Sequence, residues 1–347
     1  GLNPARVNTH CSAGHCEYFN ILVVLEGHSD TSTALVFEDI AITVKDGLDA
    51  LGCTARIVYC ANLATDSCFA EEEQVLVLAA HNLASYFTPQ GTLAVLEGNL
   101  LPQDAVLYNF EHVPRRLSPR RPRKEHSSGR NRSLISDDTL QIYARYTLWD
   151  YSEQNVHTLL AMGIRSELVP LGFSSKLVTK IVEGAQTTEE REHENGLECI
   201  DVLFVGTETP RRQATIRRMR DAGITVVYPN AAGLQLFGAD LDAVAKKSKI
   251  VLSLNAFETT TTDGDHGEWK IARIARLLAG SRFVVAEMSG SASERDALSG
   301  GVVFAPSERL AEICAYYLNR PQERAAIAER GRLMYERFSE ADILRQP

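Results

Sequence analysis

The chain alternates short runs that are apolar throughout with longer stretches whose apolar residues recur at helical spacing. "YFNILVVLEG" holds a first buried strand, Asn20 to Leu25, closed by a polar turn at Gly27. Thr33 to Leu51 has the 3.6-residue period of a helix and stops at Gly52, a residue type suited to a helix C-terminus. "TARIVYC" (54–60), "QVLVLA" (74–79) and part of "DAVLYNFEHV" (104–113) predict three more strands. "TLWDYS" predicts a short strand, Ser152 the N-cap of a helix running to about Met162, and "ELVPLGF" (167–173) the exit from that unit. Strands without a polar face, alternating with helices, predict a parallel sheet covered on both sides.

The pattern then restarts. A polar, charge-rich segment, 183–196, separates it from "IDVLFVG", the helical "PRRQATIRRMRDAG", "ITVVY", the helical "DLDAVAKKS" and "KIVLSLN". The helical "HGEWKIARIARLLAG", the strands in "RFVVAE" and "GGVVFA", and two helices from Ser307 and Pro321 complete it. On the helix ending at Gly280, Ile271, Ile274, Leu277 and Leu278 predict the buried face. The fold class expected is α/β, with two parallel-sheet domains. The expected boundaries are a flexible N-terminus over 1–19, a first domain over 20–180, a linker over 181–198 and a second domain over 199–347. The last helix is a candidate to return to the first domain.

Composition fits this picture: 347 residues, 44% apolar and 23% charged, suffice for two buried cores. The net charge of −9 argues against a general affinity for nucleic acid or anionic membrane. No run reaches the ~18 apolar residues of a membrane span, and the first residues lack a signal-peptide pattern. A cytoplasmic location is therefore expected. Seven cysteines, an odd number without paired spacing, predict reduced thiols. "HCSAGHC" (10–16) brings two His and two Cys together; a floppy terminus and a metal site are both compatible with it, and no bound metal is expected. One segment stands apart. Arg115 to Ser133 carries eight Lys/Arg against one Glu, a local charge of +7, and is rich in Pro and Ser. It predicts a solvated loop, and it is the one place where nucleic acid or an acidic partner would be attracted.

In parallel-sheet domains, ligands meet the loops that follow the strands. Gly206 followed by Arg211 and Arg212 suggests an anion site: a glycine admits a phosphate close to the backbone, a helix N-terminus offers N–H donors, and arginine offers a fork. Lys270 and Arg273, one helical turn apart, follow the polar loop that begins at Asn255 and suggest a second such site. After the first strand stands "EGHSDTSTA", which is not the G-x-G-x-x-G dinucleotide fingerprint; G-x-x-x-x-G-K-[ST] and G-x-S-x-G are absent too.

The run from "KIVLSLN" through "GVVFAPSERLAEICAYYLNRPQERAAIAERGR", with "VLFVGTETPRRQATIRRMRDAGITVV" before it, resembles the C-terminal half of glycosyltransferases of the GT-B fold. It is nearest the glycosyl transferases group 1 type, including spore-coat CgeB-like members. "LYNFEH", "LWDYSEQN" and "VPLGF" resemble the N-terminal half, and the similarity spans roughly residues 20 to 340. The resemblance implies two Rossmann-like domains facing a cleft. The C-terminal one would hold a nucleotide sugar, UDP- or GDP-linked, and the other an acceptor of unknown kind: a glycan, lipid, protein or modified base. Hexosyl transfer would need no metal, because helix dipole and basic side chains neutralise the leaving diphosphate. No cofactor beyond the donor is implied.

By position, the donor-binding residues implied are Gly27, Gly206, Arg211, Arg212, Asn255, Glu268, Lys270, Arg273 and Glu287. Many retaining members carry a second glutamate eight residues after the first, on the ribose. Here Arg276 stands eight after Glu268, and Glu287 is a candidate substitute. For the chemistry, His28 with Asp30, or Glu111, are candidate catalytic groups, with His112, Asp150 and Tyr151 on the acceptor side. A catalytically degenerate GT-B binding protein and a sugar-nucleotide epimerase of the same architecture are the alternatives.

Overall fold

The computed structural model describes residues 18–25, 31–63, 68–69, 73–86, 101–113, 135–181, 200–255, 271–288 and 292–345. The basic segment 115–133, the polar stretch 183–196 and "HCSAGHC" lie outside them. The chain divides into two compact α/β units. Among the described residues, one unit runs to Ser174 and resumes at Ser339; the other spans Ser175–Phe338.

The first unit is built on a six-stranded sheet. Its strands are β1 (Tyr18–Val24), β2 (Thr54–Cys60), β3 (Gln74–Leu78), β4 (Val106–Asn109), β5 (Thr147–Asp150) and β6 (Glu167–Leu168). Their spatial order is β2-β1-β3-β4-β5-β6, and every pairing is parallel. Ile21 on β1 stands between Ile57 of β2 and Leu76 of β3. The uninterrupted apolar runs arise because helices cover both faces, so residues of either parity along β1 are buried.

Helix α1 (Thr31–Ala50) turns Phe37, Ile40, Ala41, Val44 and Leu48 inward, the single face its spacing predicts. It is followed by Gly52 in the left-handed conformation at φ 86°. Helix α2 (Asp137–Tyr143) was not legible in the pattern; a capping box between Ser136 and Thr139 starts it. Helix α3 (Glu153–Ala161) has Ser152 as its N-cap, accepting from the Asn155 amide, and Met162 as its C-cap. Residues 175–181 form a helical segment, α4, of the second unit.

The second unit has a five-stranded parallel sheet. It comprises β7 (Ile200–Phe204), β8 (Val226–Val227), β9 (Ser248–Ser253), β10 (Val284–Glu287) and β11 (Val303–Ala305), in the order β11-β10-β9-β7-β8. The helices are α5 (Pro210–Asp221), α6 (Gly238–Lys246), α7 (Ile271–Ala279), α8 (Ala292–Leu298), α9 (Leu310–Leu318) and α10 (Pro321–Glu336). On α7 the predicted face, Ile271, Ile274, Leu277 and Leu278, is buried.

Helix α11 (Glu340–Arg345) belongs to the first unit, where it packs on α1. Phe173 and Ser339 pair as a parallel β-bridge, and the Glu340 amide donates to the Phe173 carbonyl at 3.1 Å.

The expectation that all cysteines are reduced is corrected. Cys60, the last residue of β2, and Cys68 form a disulfide with their Cα atoms 5.9 Å apart. A separation of eight residues carries no recognisable spacing signal, and the two meet because the chain folds back after β2. Cys53 and Cys314 are buried, and burial pushes the Cys314 thiol up to about 12.

Candidate functional site

Numbered within their own units, the sheets have the orders 2-1-3-4-5-6 and 2-1-3-4-5, so each reverses direction between its first and third strands. At such a switch point the connecting loops leave toward opposite faces and open a crevice beyond the strand carboxyl ends. In the second unit this point lies between β7 and β9.

Just past β7 the chain makes a tight approach. The Gly206 amide donates to Asn230 Oδ1 at 3.1 Å, and its carbonyl accepts from the Tyr228 hydroxyl at 3.2 Å. A Cβ here would stand 3.1 Å from Cζ of Phe204 and 3.4 Å from Nη1 of Arg212, so only glycine fits without displacing them. Thr209 then caps α5, its hydroxyl accepting from the Arg212 amide at 3.2 Å, with Pro210 in the first turn.

Arg211 and Arg212 follow at once and take different directions. Arg212 is fully buried, over the Phe204 ring at 5.4 Å. Its Nη1 donates to the Thr207 carbonyl at 2.8 Å and hydroxyl at 2.9 Å, and its Nη2 donates to the Leu254 carbonyl at 2.8 Å. It therefore ties the loop after β7 to the loop after β9 from beneath. Expected as a donor-binding fork, Arg212 has its described hydrogen bonds inside the protein.

Arg211 lies across the neighbouring strand ends, with its side chain 16% exposed. Its Nη1 donates to Glu287 Oε2 at 2.8 Å and to the Asn255 carbonyl at 3.1 Å; its Nη2 pairs with Glu287 Oε1. Glu287, the last residue of β10, is buried, and its Oε2 also accepts from the Asn255 amide at 3.0 Å. The Asn255 side chain donates to the Met288 carbonyl at 3.3 Å. The carboxylate considered for ribose recognition thus has both oxygens engaged by Arg211 and Asn255.

Arg276, standing where the resemblance would put a second glutamate, is buried on α7. Its Nε and Nη2 donate to the two carboxylate oxygens of Asp242 on α6, at 2.8 and 2.5 Å. This position is used to pack two helices together. Glu268 and Lys270 lie outside the described residues, as does the side chain of Arg273, whose backbone is in α7.

In the first unit the switch point lies between β1 and β3. Asn82 donates from its side chain to the Val24 carbonyl at 2.7 Å, and Ala79, directly after β3, has φ 56°, a conformation a non-glycine residue seldom adopts. Gly27, His28 and Asp30 follow β1 and lie outside the described residues.

Farther along the same edge, β4 and β5 end in a buried polar network. Asp150 is fully buried; its Oδ2 accepts from Asn109 Nδ2 at 2.7 Å, and its Oδ1 accepts from the Ser152 amide at 2.9 Å and Asn155 Nδ2 at 3.0 Å. Asn109 and Asn155 both donate to the Glu111 carbonyl, at 2.7 and 2.9 Å, and Asn155 Oδ1 accepts from the Val113 amide at 2.9 Å. The Tyr143 hydroxyl donates to Asn109 Oδ1 at 3.0 Å. Burial, and then the charges of Asp150 and Glu111, push its phenol well above the usual tyrosine range. Tyr151 is buried and stacks on Phe110 with ring centroids 5.5 Å apart.

Of the candidates here, Asp150 and Tyr151 serve the interior, whereas Glu111 and His112 are half-buried on the loop that the network holds. Asn109, Tyr143 and Asn155 were not singled out from the sequence. The available signal was a pair of amides, Asn109 and Asn155, next to otherwise apolar strand ends.

Among the described residues no group of His, Cys, Asp and Glu is placed to hold a metal ion, and no helix is long and apolar enough to cross a membrane.

No family model matches the chain, and no curated protein matches it in sequence. Solved structures do match in shape. HepE from Anabaena, in complex with UDP and glucose, superposes with a TM-score of 0.53 over 94% of this chain and 97% of that one, at 14% identity. A glycosyltransferase from Rickettsia africae gives 0.52 over 94% and 96%, at 12% identity. Sucrose-phosphate synthase from Thermosynechococcus elongatus gives 0.51 over 95% and 96%, at 11% identity. The chain has the GT-B fold of these glycosyltransferases, two parallel-sheet α/β domains.

Proposed function

We propose that this protein is a glycosyltransferase that moves a hexosyl group from a nucleotide sugar to an acceptor. The observation that carries this reading is the site past β7, β9 and β10 in the second unit. There a glycine whose added Cβ would crowd Phe204 and Arg212, the first turn of α5, and the Arg211 guanidinium held over the β9 and β10 ends all follow strand carboxyl ends beside a topological switch point. That combination suits an oxyanion held by backbone amides, a helix dipole and an arginine. A fold shared with HepE, whose structure was solved with UDP and glucose, supports a nucleotide sugar as the donor.

The donor's diphosphate would sit over the Gly206 loop. Lys270, which precedes α7 in sequence, and Arg273, within α7, would add positive charge as the diphosphate departs, so that transfer proceeds without a bound metal. The acceptor would be held by the first unit. His28 or Glu111 would take its proton, each following a strand of that sheet; for His28, Asp30 would orient the ring. Such an enzyme needs no membrane span.

The test is a panel of UDP-, GDP-, ADP- and dTDP-linked hexoses, read as thermal stabilisation and as release of the nucleoside diphosphate, with and without EDTA. Stabilisation by one donor, and turnover that EDTA leaves unchanged once an acceptor extract is added, are expected. Neither stabilisation nor release with any donor would overturn the reading.

A further inference from the structure

Arg211 has five N–H donors, and the structure distributes them unevenly. The two terminal nitrogens face the Glu287 carboxylate in an end-on pair, and Nη1 turns its other hydrogen to the Asn255 carbonyl. Nη1 is by convention the nitrogen on the Cδ side of the guanidinium. What is left is therefore the opposite edge, formed by Nε–H and the second Nη2–H. Among the described residues neither donor has a partner, and they lie side by side with the spacing that a carboxylate or phosphate accepts in bidentate fashion.

The holding groups are buried. Glu287 is 2% exposed and ends β10; Asn255 follows β9 and is 4% exposed. The Asn255 amide donates to the same Glu287 oxygen that accepts from Arg211, so carboxylate, peptide and guanidinium form a closed set across adjacent strand ends. Arginine ordinarily has much rotamer freedom to lose on binding a ligand. Here that freedom is lost at folding, and the open edge is already oriented. Arg211 itself belongs to the first turn of α5, five residues past Gly206.

We propose that Glu287 is a positioning residue: with the Asn255 carbonyl it fixes the Arg211 guanidinium so that its Nε/Nη2 edge forms a preorganised bidentate site for a phosphate oxyanion of a nucleoside diphosphate. The inference rests on the donor-site reading above and assigns Glu287 to the arginine and not to the ribose. It also makes two adjacent arginines unlike in role, Arg212 as an internal tie and Arg211 as the ligand-facing fork.

Affinity for UDP, GDP, ADP and dTDP, each beside its own nucleoside, is measured by calorimetry on the full chain. Wild type, Glu287→Gln, Arg211→Lys and the double variant are compared. For the diphosphate that wild type binds, Arg211→Lys keeps the charge but lacks the planar fork, so affinity falls roughly ten- to a hundred-fold. Glu287→Gln falls by a similar factor, and the double variant is no weaker than Arg211→Lys alone, because Glu287 acts through Arg211. Affinity for the matching nucleoside stays within about twofold in each, a separation that loss of general structure would not give. Should Glu287→Gln fail to fold, Arg211→Lys carries the same test through its diphosphate-to-nucleoside ratio.

A diphosphate affinity that neither variant changes would overturn this inference and leave the donor site standing. Equal losses for diphosphate and nucleoside would overturn it too. Wild type that binds no nucleoside diphosphate would overturn both.

Discussion

The carboxyl group of Glu340 is buried against Gly172: its Oε2 accepts from the Gly172 amide at 2.5 Å, and among the described residues its Oε1 has no hydrogen-bond partner. The two residues are 168 positions apart, and their contact helps dock the last helix on the first unit, beside the Phe173–Ser339 bridge. Burial raises the carboxyl to about 8, against the smaller opposing effect of the Gly172 hydrogen bond. The folded protein thus prefers the protonated acid. Whatever stability this proton brings is complete below about pH 4.5, the ordinary glutamate value, and is lost as pH rises toward about 8. Glu340→Gln removes the ionisable group and keeps a carbonyl for Gly172. Its melting temperature should match wild type within a few degrees near pH 5 and exceed it at pH 9, the gap opening across that window. Parallel melting curves from pH 5 to 9 would show that the acid is not held neutral.

Gly47 and Gly331 are helical glycines at which alanine should destabilise, although helix propensity favours alanine by about 1 kcal/mol. At Gly47 a Cβ would lie 2.6 Å from Cγ of Glu340 and 2.9 Å from Cδ1 of Leu344, so α11 would have to move off α1. At Gly331 it would lie 2.6 Å from the Gly301 carbonyl oxygen, which is backbone and cannot rotate away. Overpacking typically costs about 1–3 kcal/mol, which outweighs propensity at both sites. Chemical denaturation should rank Gly331→Ala as the worse of the two, because side chains yield more readily than a peptide. A neutral or stabilising result at Gly331 would mean the two segments are not in contact.

The Cys60–Cys68 disulfide closes a short loop at the end of β2, and reducing it should lower stability. Loop-closure entropy for so short a span gives about 2–3 kcal/mol. Cys60→Ser and wild type treated with dithiothreitol should therefore melt lower than oxidised wild type and close to each other. Thiol titration of the denatured, unreduced chain should show two fewer reactive cysteines than after reduction. Equal titres would remove the bond.

The strand–helix alternation was legible because a parallel sheet buried on both faces imposes an uninterrupted apolar run, and α1 and α7 present their buried faces at the predicted positions. The GT-B fold followed from that alternation and the resemblance together. Helix α2 was hidden because a seven-residue helix shows barely two turns of period, and its start depends on a cap, Ser136 with Thr139, that looks like ordinary loop sequence. The disulfide was hidden because only the fold brings Cys60 to Cys68. At the candidate site, the sequence placed Gly206, Arg211, Arg212, Asn255 and Glu287 after strand ends but said nothing of which way each points. Arg211 and Arg212 are chemically identical neighbours. Their directions are set by rotation about the helix, which carries the second under the loops and leaves the first across the strand ends.

That difference yields the last prediction. Arg212 donates to the Thr207 and Leu254 carbonyls from a fully buried position, and it fills the space under Gly206 beside the Phe204 ring. Lysine at this position keeps a charge but has one nitrogen in place of the two that reach the two loops, so at least one of these carbonyls, of which that of Leu254 is buried, is expected to lose its donor. Hydrogen bonds to a charged group contribute about 1.5–3 kcal/mol each, and a buried acceptor left without a donor costs about as much. Arg212→Lys should therefore destabilise the second unit by about 2–4 kcal/mol. Arg211→Lys should cost less, because its side chain is partly exposed and the lysine can still pair with Glu287. Urea unfolding of the two variants, followed by hydrogen exchange at the β7 and β9 amides, separates them: the larger loss of protection belongs to Arg212→Lys. If Arg211→Lys is the less stable protein, the internal tie has been assigned to the wrong arginine.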